Sequence, residues 1–202
     1  LPANKLENPL KYAVTWSVDG LINEYRDDCK ILEGGSIKTV KGMDGLEIIN
    51  SKHLGDMEAF YTSGGSSHTV QTMHERGVKN CSYKTIRYVG HCEIVKFLIR
   101  DCELSHDCLK EIFMKGCYDD KAIKDLVLVR VDVGLGDICW GKEIIIYADS
   151  SFSAMQKATA FSVASVADIM SSGSLDVGPS LTYKDVPFEL FKCNIQRLGI
   201  TI

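Results

Sequence analysis

Two stretches of this 202-residue chain gather groups that could hold a charged small molecule. The first is Cys81–Leu98, CSYKTIRYVGHCEIVKFL. It begins with strand-like alternation, which places Tyr83, Thr85 and Arg87 on one face and Lys84, Ile86 and Tyr88 on the other. The guanidinium of Arg87 is a rigid fork of donors suited to a carboxylate. Val89 and Gly90 then carry His91 into the first turn of an apolar helix. The positive end of a helix dipole disfavours an imidazolium, so a neutral ring there can both donate and accept hydrogen bonds. A structural arginine ion pair with a capping histidine accounts for the same residues equally well.

The second stretch is Tyr61-Thr62-Ser63-Gly64-Gly65-Ser66-Ser67. A strand end, two glycines and the hydroxyls of Ser63 and Ser66 precede a helix, and backbone amides at such a turn attract carboxylates or phosphates. A plain strand-to-helix turn with a capping serine is the competing reading.

Other chemistries find less support. Gly134-Leu135-Gly136 lacks the third glycine of a dinucleotide fingerprint and lies between two strands, so no cofactor site is expected in this chain. Ser63-Gly64-Gly65-Ser66 lacks the lysine of a phosphate loop. Cys102, His106, Cys108 and Cys117 offer soft ligands at a spacing that matches no common zinc site, so no metal is expected. No Gly-X-Ser-X-Gly elbow occurs, and no histidine pairs with a nucleophile and an acid; a catalytic residue is therefore not identified. The 23 basic residues form no stripe with aromatics, which argues against nucleic acid. No apolar run approaches the roughly 18 residues of a membrane span. Eight cysteines in a chain apolar enough to need no staples read as free thiols in a reducing cytoplasm. The start, LPANKLENPL, has neither Met nor a signal-type core and reads as a cut inside a longer protein.

The elements that would position these groups follow from periodicity. Lys11–Ser17 alternates and reads as a strand. Val18–Arg26 has apolar residues at 18, 21, 22 and 25, a helix face, with Ser17 as its N-cap. Strands Ile37–Lys41 and Leu46–Asn50 flank Gly42-Met43-Asp44-Gly45, a hairpin signature. Strands are expected at Met57–Tyr61, Tyr83–Tyr88, Leu126–Val133 and Glu143–Ala148. Helices are expected from His68 to Arg76, His91 to Arg100, His106 to Lys115 with Ser105 as its cap, Ser153 to Ser172 and Pro187 to Leu198. Gly178-Pro179 reads as a turn, and Gly199–Ile202 as a closing strand. Helices and strands mix without strict alternation, so the fold class is α+β: a mixed, largely antiparallel sheet covered by helices, in one domain over residues 1–202.

At this point several motifs, in order along nearly the whole chain, resemble a known family. Tyr83–His91 running into Cys92–Leu98 resembles the Y-K-T-L-R-Y-x-G-H segment of the C-terminal domain of saccharopine dehydrogenase and lysine 6-dehydrogenase type oxidoreductases. Asn8–Tyr12, Thr15–Ser17, Leu46–Ile49 with Met57–Gly65, and the late segment Ala154–Met170 with Gly178-Pro179 and Val186–Phe188 resemble other parts of that domain. The resemblance implies a substrate-binding and homodimerising domain, with NAD or NADP held by an N-terminal Rossmann domain absent from this chain. The implied chemistry is hydride transfer at the C–N bond of lysine or a related amine, which the isolated chain would not perform. A non-catalytic ligand-binding or assembly module of the same fold is the alternative. Saccharopine-forming members resemble W-S-x-R-G where this chain has Trp16-Ser17-Val18-Asp19-Gly20. With Glu24 and Tyr25, Asp19 looks more like the lysine 6-dehydrogenase side, pairing with a substrate ammonium while Arg87 holds a carboxylate. The implied substrate residues are Asp19, Tyr61, Ser63, Ser66, Arg87 and His91.

Overall fold

The computed structural model describes residues 1–3, 8–117, 124–175 and 185–202, which divide into two compact units, Leu1–Ile123 and Lys124–Ile202. In the first unit, α1 spans Val18–Arg26, with the Ser17 hydroxyl accepting from the Gly20 amide as its N-cap. Val18, Leu21, Ile22 and Tyr25 form its buried face, as the spacing predicts. Strands β1 (Cys29–Glu33) and β2 (Ser36–Val40) pair antiparallel. β3 (Glu47–Ser51), β4 (Gly55–Tyr61) and β5 (Lys84–Tyr88) form a three-stranded antiparallel sheet in the order β3-β4-β5. Helix α2 covers Ser67–Glu75, α3 covers His91–Lys96 and continues through a π-helical turn at Phe97–Asp101, and α4 covers His106–Cys117. Between them lies a core of Tyr12, Leu21, Ile22, Tyr25, Met43, Phe60, Cys92, Val95, Leu109 and Phe113. The eight cysteines are free, and burial pushes the thiols of Cys92 and Cys117 up to about 12.

The second unit is a long hairpin with helices. β6 (Leu126–Leu135) pairs antiparallel with β7 (Ile138–Tyr147) over ten residues each, turning at Gly136, whose φ is 58°. Helix α5 (Ala154–Gln156) passes through a π-helical turn at Lys157–Phe161 into α6 (Ser162–Ser171), and α7 spans Phe188–Arg197. The start of α5 is doubly capped: Ser153 and Gln156 make a capping box, while buried Asp125 accepts from the Ala154 and Met155 amides at 2.8 and 3.1 Å.

The α+β class with antiparallel pairing stands, but three local expectations are corrected. Lys11–Ser17 is not a strand. Tyr12 and Ala13 are both buried, which no alternating strand face allows, and the Val14 amide donates to the Cys117 carbonyl rather than to a ladder. The hairpin expected across Gly42–Gly45 does not form. β2 turns back on β1 through Gly34-Gly35, both at positive φ as a two-residue hairpin requires, and β3 pairs with β4. The Gly42–Asp44 link is used differently: Met43 donates to the Tyr61 carbonyl and Asp44 accepts from the Tyr61 amide. Gly199–Ile202 is not a strand either. Gly199, at φ 88°, ends α7 with the Ile200 amide bonded to Ile195 O, and Ile200 and Ile202 fold into the apolar cluster of the second unit. The turn expected at Gly178-Pro179 lies outside the described residues. Among the described residues, no helix is long and apolar enough to cross a membrane.

Candidate functional site

The β5–α3 junction is built on a buried acid. Glu58, on β4 opposite Arg87 of β5, is 2% exposed, and its carboxylate accepts from the Gly90 amide at 2.8 Å and from the Cys92 amide. The first amides of α3 are therefore already occupied by a side chain of this chain. Gly90 sits at φ 99°, which turns the strand into the helix and delivers His91 to the core.

His91 is fully buried, edge-on to Tyr12 and Tyr25 and stacked near Phe60. Its Nδ1 lies 2.9 Å from the Leu10 carbonyl and its Nε2 lies 3.0 Å from the Tyr25 hydroxyl. A carbonyl only accepts, so Nδ1 carries the proton and Nε2 must accept from Tyr25. The Tyr25 oxygen in turn accepts from Arg87 Nε at 3.0 Å. The result is one directed chain: Arg87 to Tyr25, Tyr25 to His91, His91 to Leu10 O. Burial, reinforced by the nearby Arg87 charge, depresses the His91 pKa to about 3 and keeps the ring neutral. Burial likewise raises the Tyr25 pKa, holding the phenol protonated as a donor.

Arg87 is thus fixed on several sides. Nη1 donates to the Ile86 carbonyl at 2.9 Å, and the guanidinium lies 4.8 Å over the Tyr12 ring, whose hydroxyl accepts from Trp16 Nε1 at 3.1 Å. Among the described residues no carboxylate lies within ion-pair distance of Arg87. Its guanidinium has five N–H groups, and one on Nε and one on Nη1 are engaged, so the remaining edge is available to an acceptor.

The other implied residues fall in different places. Ser63 lies beside the same helix, its amide donating to Glu24 O at 3.0 Å and its hydroxyl reaching Asn23 O at 3.5 Å. Ser66 is buried, and its hydroxyl donates to Lys30 O rather than capping α2. Tyr61 carries Lys84 over its ring at 4.8 Å and packs on Gly45, on the side where Lys84 meets Glu47. Asp19 is held by Lys110 at 2.8 Å, with His106 at 3.8 Å. That places Cys108's neighbour His106 against a carboxylate, while Cys117 is buried in the core; among the described residues no three His, Cys, Asp or Glu side chains converge. The α1 acid that feels the Arg87 charge is Glu24 instead, five residues and about 140° around the helix from Asp19. Burial raises the Glu24 pKa, and the Arg87 charge opposes that rise. Tyr12, which stacks under Arg87, was hidden by the strand reading of its segment.

Comparison with known proteins agrees with this architecture. The family model for the saccharopine dehydrogenase C-terminal domain matches residues 1–186. Saccharopine dehydrogenase (NADP(+), L-glutamate-forming) of Saccharomyces cerevisiae is 29% identical over 120 residues, covering 58% of this chain and 27% of that protein. The solved structure of apo histidine-tagged saccharopine dehydrogenase (L-Glu forming) from Saccharomyces cerevisiae matches with a TM-score of 0.71 at 16% identity, over 99% of this chain and 63% of that one. The matched stretch thus spans only about a quarter of the curated relative's length.

Proposed function

This chain belongs to the saccharopine dehydrogenase C-terminal domain family, and from that premise we propose that it is the substrate-binding half of an NAD(P)-dependent amino acid dehydrogenase. The observation that carries this reading is the open edge of Arg87, a guanidinium locked by Tyr25, His91 and Tyr12 and left without a carboxylate of its own. Such a fork, fixed before the ligand arrives, binds a substrate carboxylate with little ordering cost. Substrates would be lysine or a related amine-bearing amino acid.

The cofactor belongs elsewhere in the parent enzyme. The only Gly-X-Gly of β6 and β7 sits in a hairpin turn, not at a helix start, so the described residues offer no dinucleotide cradle. The nicotinamide would take up or return the hydride, and this chain's task is to orient the substrate toward it. Alone, the chain would bind without turnover. The eight free thiols support a reducing, cytoplasmic setting.

The test is a titration of the isotope-labelled chain with L-lysine, followed by NMR. The Arg87 Nε–H and the Tyr12 and Tyr83 rings should shift in a saturable manner; no shift at about 10 mM, far above the Kd of a useful substrate site, would overturn the reading.

Self-association is the second part of the proposal, and β6–β7 supports it. Val127, Val129, Val131, Val133 and Leu135 share one face with Ile146, Ile144, Lys142, Trp140 and Ile138. At the base this face packs on Phe161, Phe191 and Ile195; toward the tip it is open, with Leu135 at 79% and Ile138 at 71% exposed. A two-stranded ribbon is marginal without further cover. The open part carries exposed Val133, Leu135, Ile138 and Trp140 side by side, an apolar patch that a second copy of the chain would cover. The chain should therefore sediment as a dimer at micromolar concentration. Trp140→Glu, which alters an exposed side chain, should give a folded monomer; an unchanged sedimentation coefficient would exclude this face.

A further inference from the structure

We propose that the open tip of the β6–β7 ribbon is covered by the outer face of α6 from a second copy of this chain, each copy giving and receiving one such contact. The inference rests on the self-association reading and adds the surface that receives the ribbon.

The second unit leaves two apolar faces uncovered. One is the ribbon tip, where Val133, Leu135, Ile138 and Trp140 are exposed on one side. The other is on α6. Ser165 and Ile169 turn inward, and the Ser165 carbonyl accepts from Asn194 Nδ2 of α7 at 3.3 Å. Val163, Ala164, Ala167 and Met170 lie on the opposite side and are exposed, Val163 to 66%. Exposed Ala160 continues this face into the preceding π-helical turn.

The chain itself shows how this sheet face is covered. At the ribbon base, Val127, Ile144 and Ile146 share one apolar cluster with Ala158 and Phe161, side chains of the helical run that leads into α6. A helix from a second copy, laid on the tip, extends the same packing of helix on sheet.

Charge selects α6 over a second ribbon. Among the ten residues of the ribbon face, exposed Lys142 carries the one charge. Pressed against another ribbon, it would be desolvated among valines, isoleucines and Trp140, or against a second Lys142, with no acid on that face to meet it. α6 supplies an acid. Asp168 stands at the edge of its outer face, and Asn194 Nδ2 at 2.9 Å and Arg197 Nη1 at 3.9 Å both approach it through Oδ2, so Oδ1 is left for a further donor. The spacings agree as well. Lys142 and Ile138 are about 13 Å apart along a strand, and Asp168 and Ala160 about 12 Å apart along a helix. With Lys142 at Asp168, Trp140 falls over Ala164, whose small side chain lets the indole lie flat, and Ile138 reaches Ala160. A two-fold axis makes the exchange reciprocal and closes the assembly at two copies.

The experiment is sedimentation of the full chain as wild type, as Trp140→Lys, as Val163→Glu and as an equimolar mixture of the two variants. Both substitutions alter exposed side chains. We expect each variant alone to dissociate, its dimer dissociation constant raised at least about a hundredfold. In the mixture a dimer should return, because one contact is then native and the other sets the new lysine on the new glutamate. If Val163→Glu sediments as the wild-type dimer while Trp140→Lys does not, α6 is wrong and self-association through the ribbon survives. If both variants are monomers and their mixture stays monomeric, the reciprocal contact is overturned. A monomeric wild type removes both readings. Should Val163→Glu lose its native circular dichroism, Ala167→Glu, on the same exposed face, replaces it in every arm.

Discussion

His91→Ala should destabilise the first unit by about 3–5 kcal/mol, enough to consume much of a typical domain's stability. Three losses coincide. The ring's volume is removed from among Tyr12, Tyr25 and Phe60, the Leu10 carbonyl loses its donor, and the Tyr25 hydroxyl loses its acceptor in a fully buried place. Urea unfolding followed by Trp16 fluorescence, in a Trp140→Phe background, reports on this unit, since Trp16 bonds the Tyr12 that packs on His91. The same residue sets a pH dependence. Its native pKa of about 3 lies below the ordinary value of 6.5, so between these limits the unfolded chain binds a proton that the folded one excludes. Stability from this group is complete above pH 6.5 and falls, as pH drops toward 3, by up to about 1.4 kcal/mol per unit. Glu24, with a raised pKa, acts with the opposite sign above its ordinary 4.5, while the lowered pKa values of Asp19 and Asp44 matter only below about 4. His91→Phe fills the site without a titrating group, so its stability should no longer fall as pH drops from 6.5 to 5 and should keep only the opposite slope from Glu24; a slope equal to that of the wild type would show that another group is responsible.

How far these features can be read from the sequence depends on whether a signal is local. The Ser17 cap and the buried face of α1 are encoded within a few residues and are found where periodicity puts them; β6 and β7 also form as strands, but β7 begins at Ile138 rather than Glu143 because the Gly-rich connection itself joins the ladder. The strand-to-helix handover at Gly90, with Arg87 before it and His91 after it, is equally local. Pairing is not. Gly34-Gly35 and Gly42–Gly45 both look like hairpin turns, and the choice is made by distant backbone: Tyr61 takes up the Met43–Asp44 link, and a Cβ at Gly42 would lie 2.5 Å from the Tyr25 carbonyl. Tyr12 was misplaced for the same reason, since Lys11–Ser17 finds its partner at Cys117, the far end of α4. The candidate site inherits this division. Arg87 and His91 announce themselves by type and position, whereas the chain that joins them through Tyr25 crosses 62 and 66 residues of sequence separation. Asp19 and Glu24 are both acids on α1, and only helix phase together with the place of Lys110 separates the surface ion pair from the acid beside Arg87.

Arg87→Met should reduce affinity for a carboxylate ligand at least about a hundredfold, the largest functional loss expected from any single substitution here, because it removes both the charge and the fork. Arg87→Lys separates the two. It keeps the charge but lacks Nε, so it cannot donate to Tyr25 and Ile86 together, and an ammonium cannot lie flat over the Tyr12 ring as the guanidinium does. We expect Arg87→Lys to recover only part of the affinity, leaving it about tenfold below the wild type. Tyr25→Phe approaches the same question from the other side. It retains Arg87 and the aromatic packing but cuts the chain to His91, so Arg87 keeps its charge and loses its aim. An intermediate loss in Tyr25→Phe is the signature of positioning, since a merely structural tyrosine would lower stability and leave L-lysine affinity unchanged. The decisive comparison is affinity against stability for all three variants, by NMR titration with L-lysine and by urea unfolding. If Arg87→Met binds L-lysine as the wild type does and only its unfolding midpoint moves, Arg87 is a core-lining cation, and the open edge of its guanidinium faces solvent and nothing else.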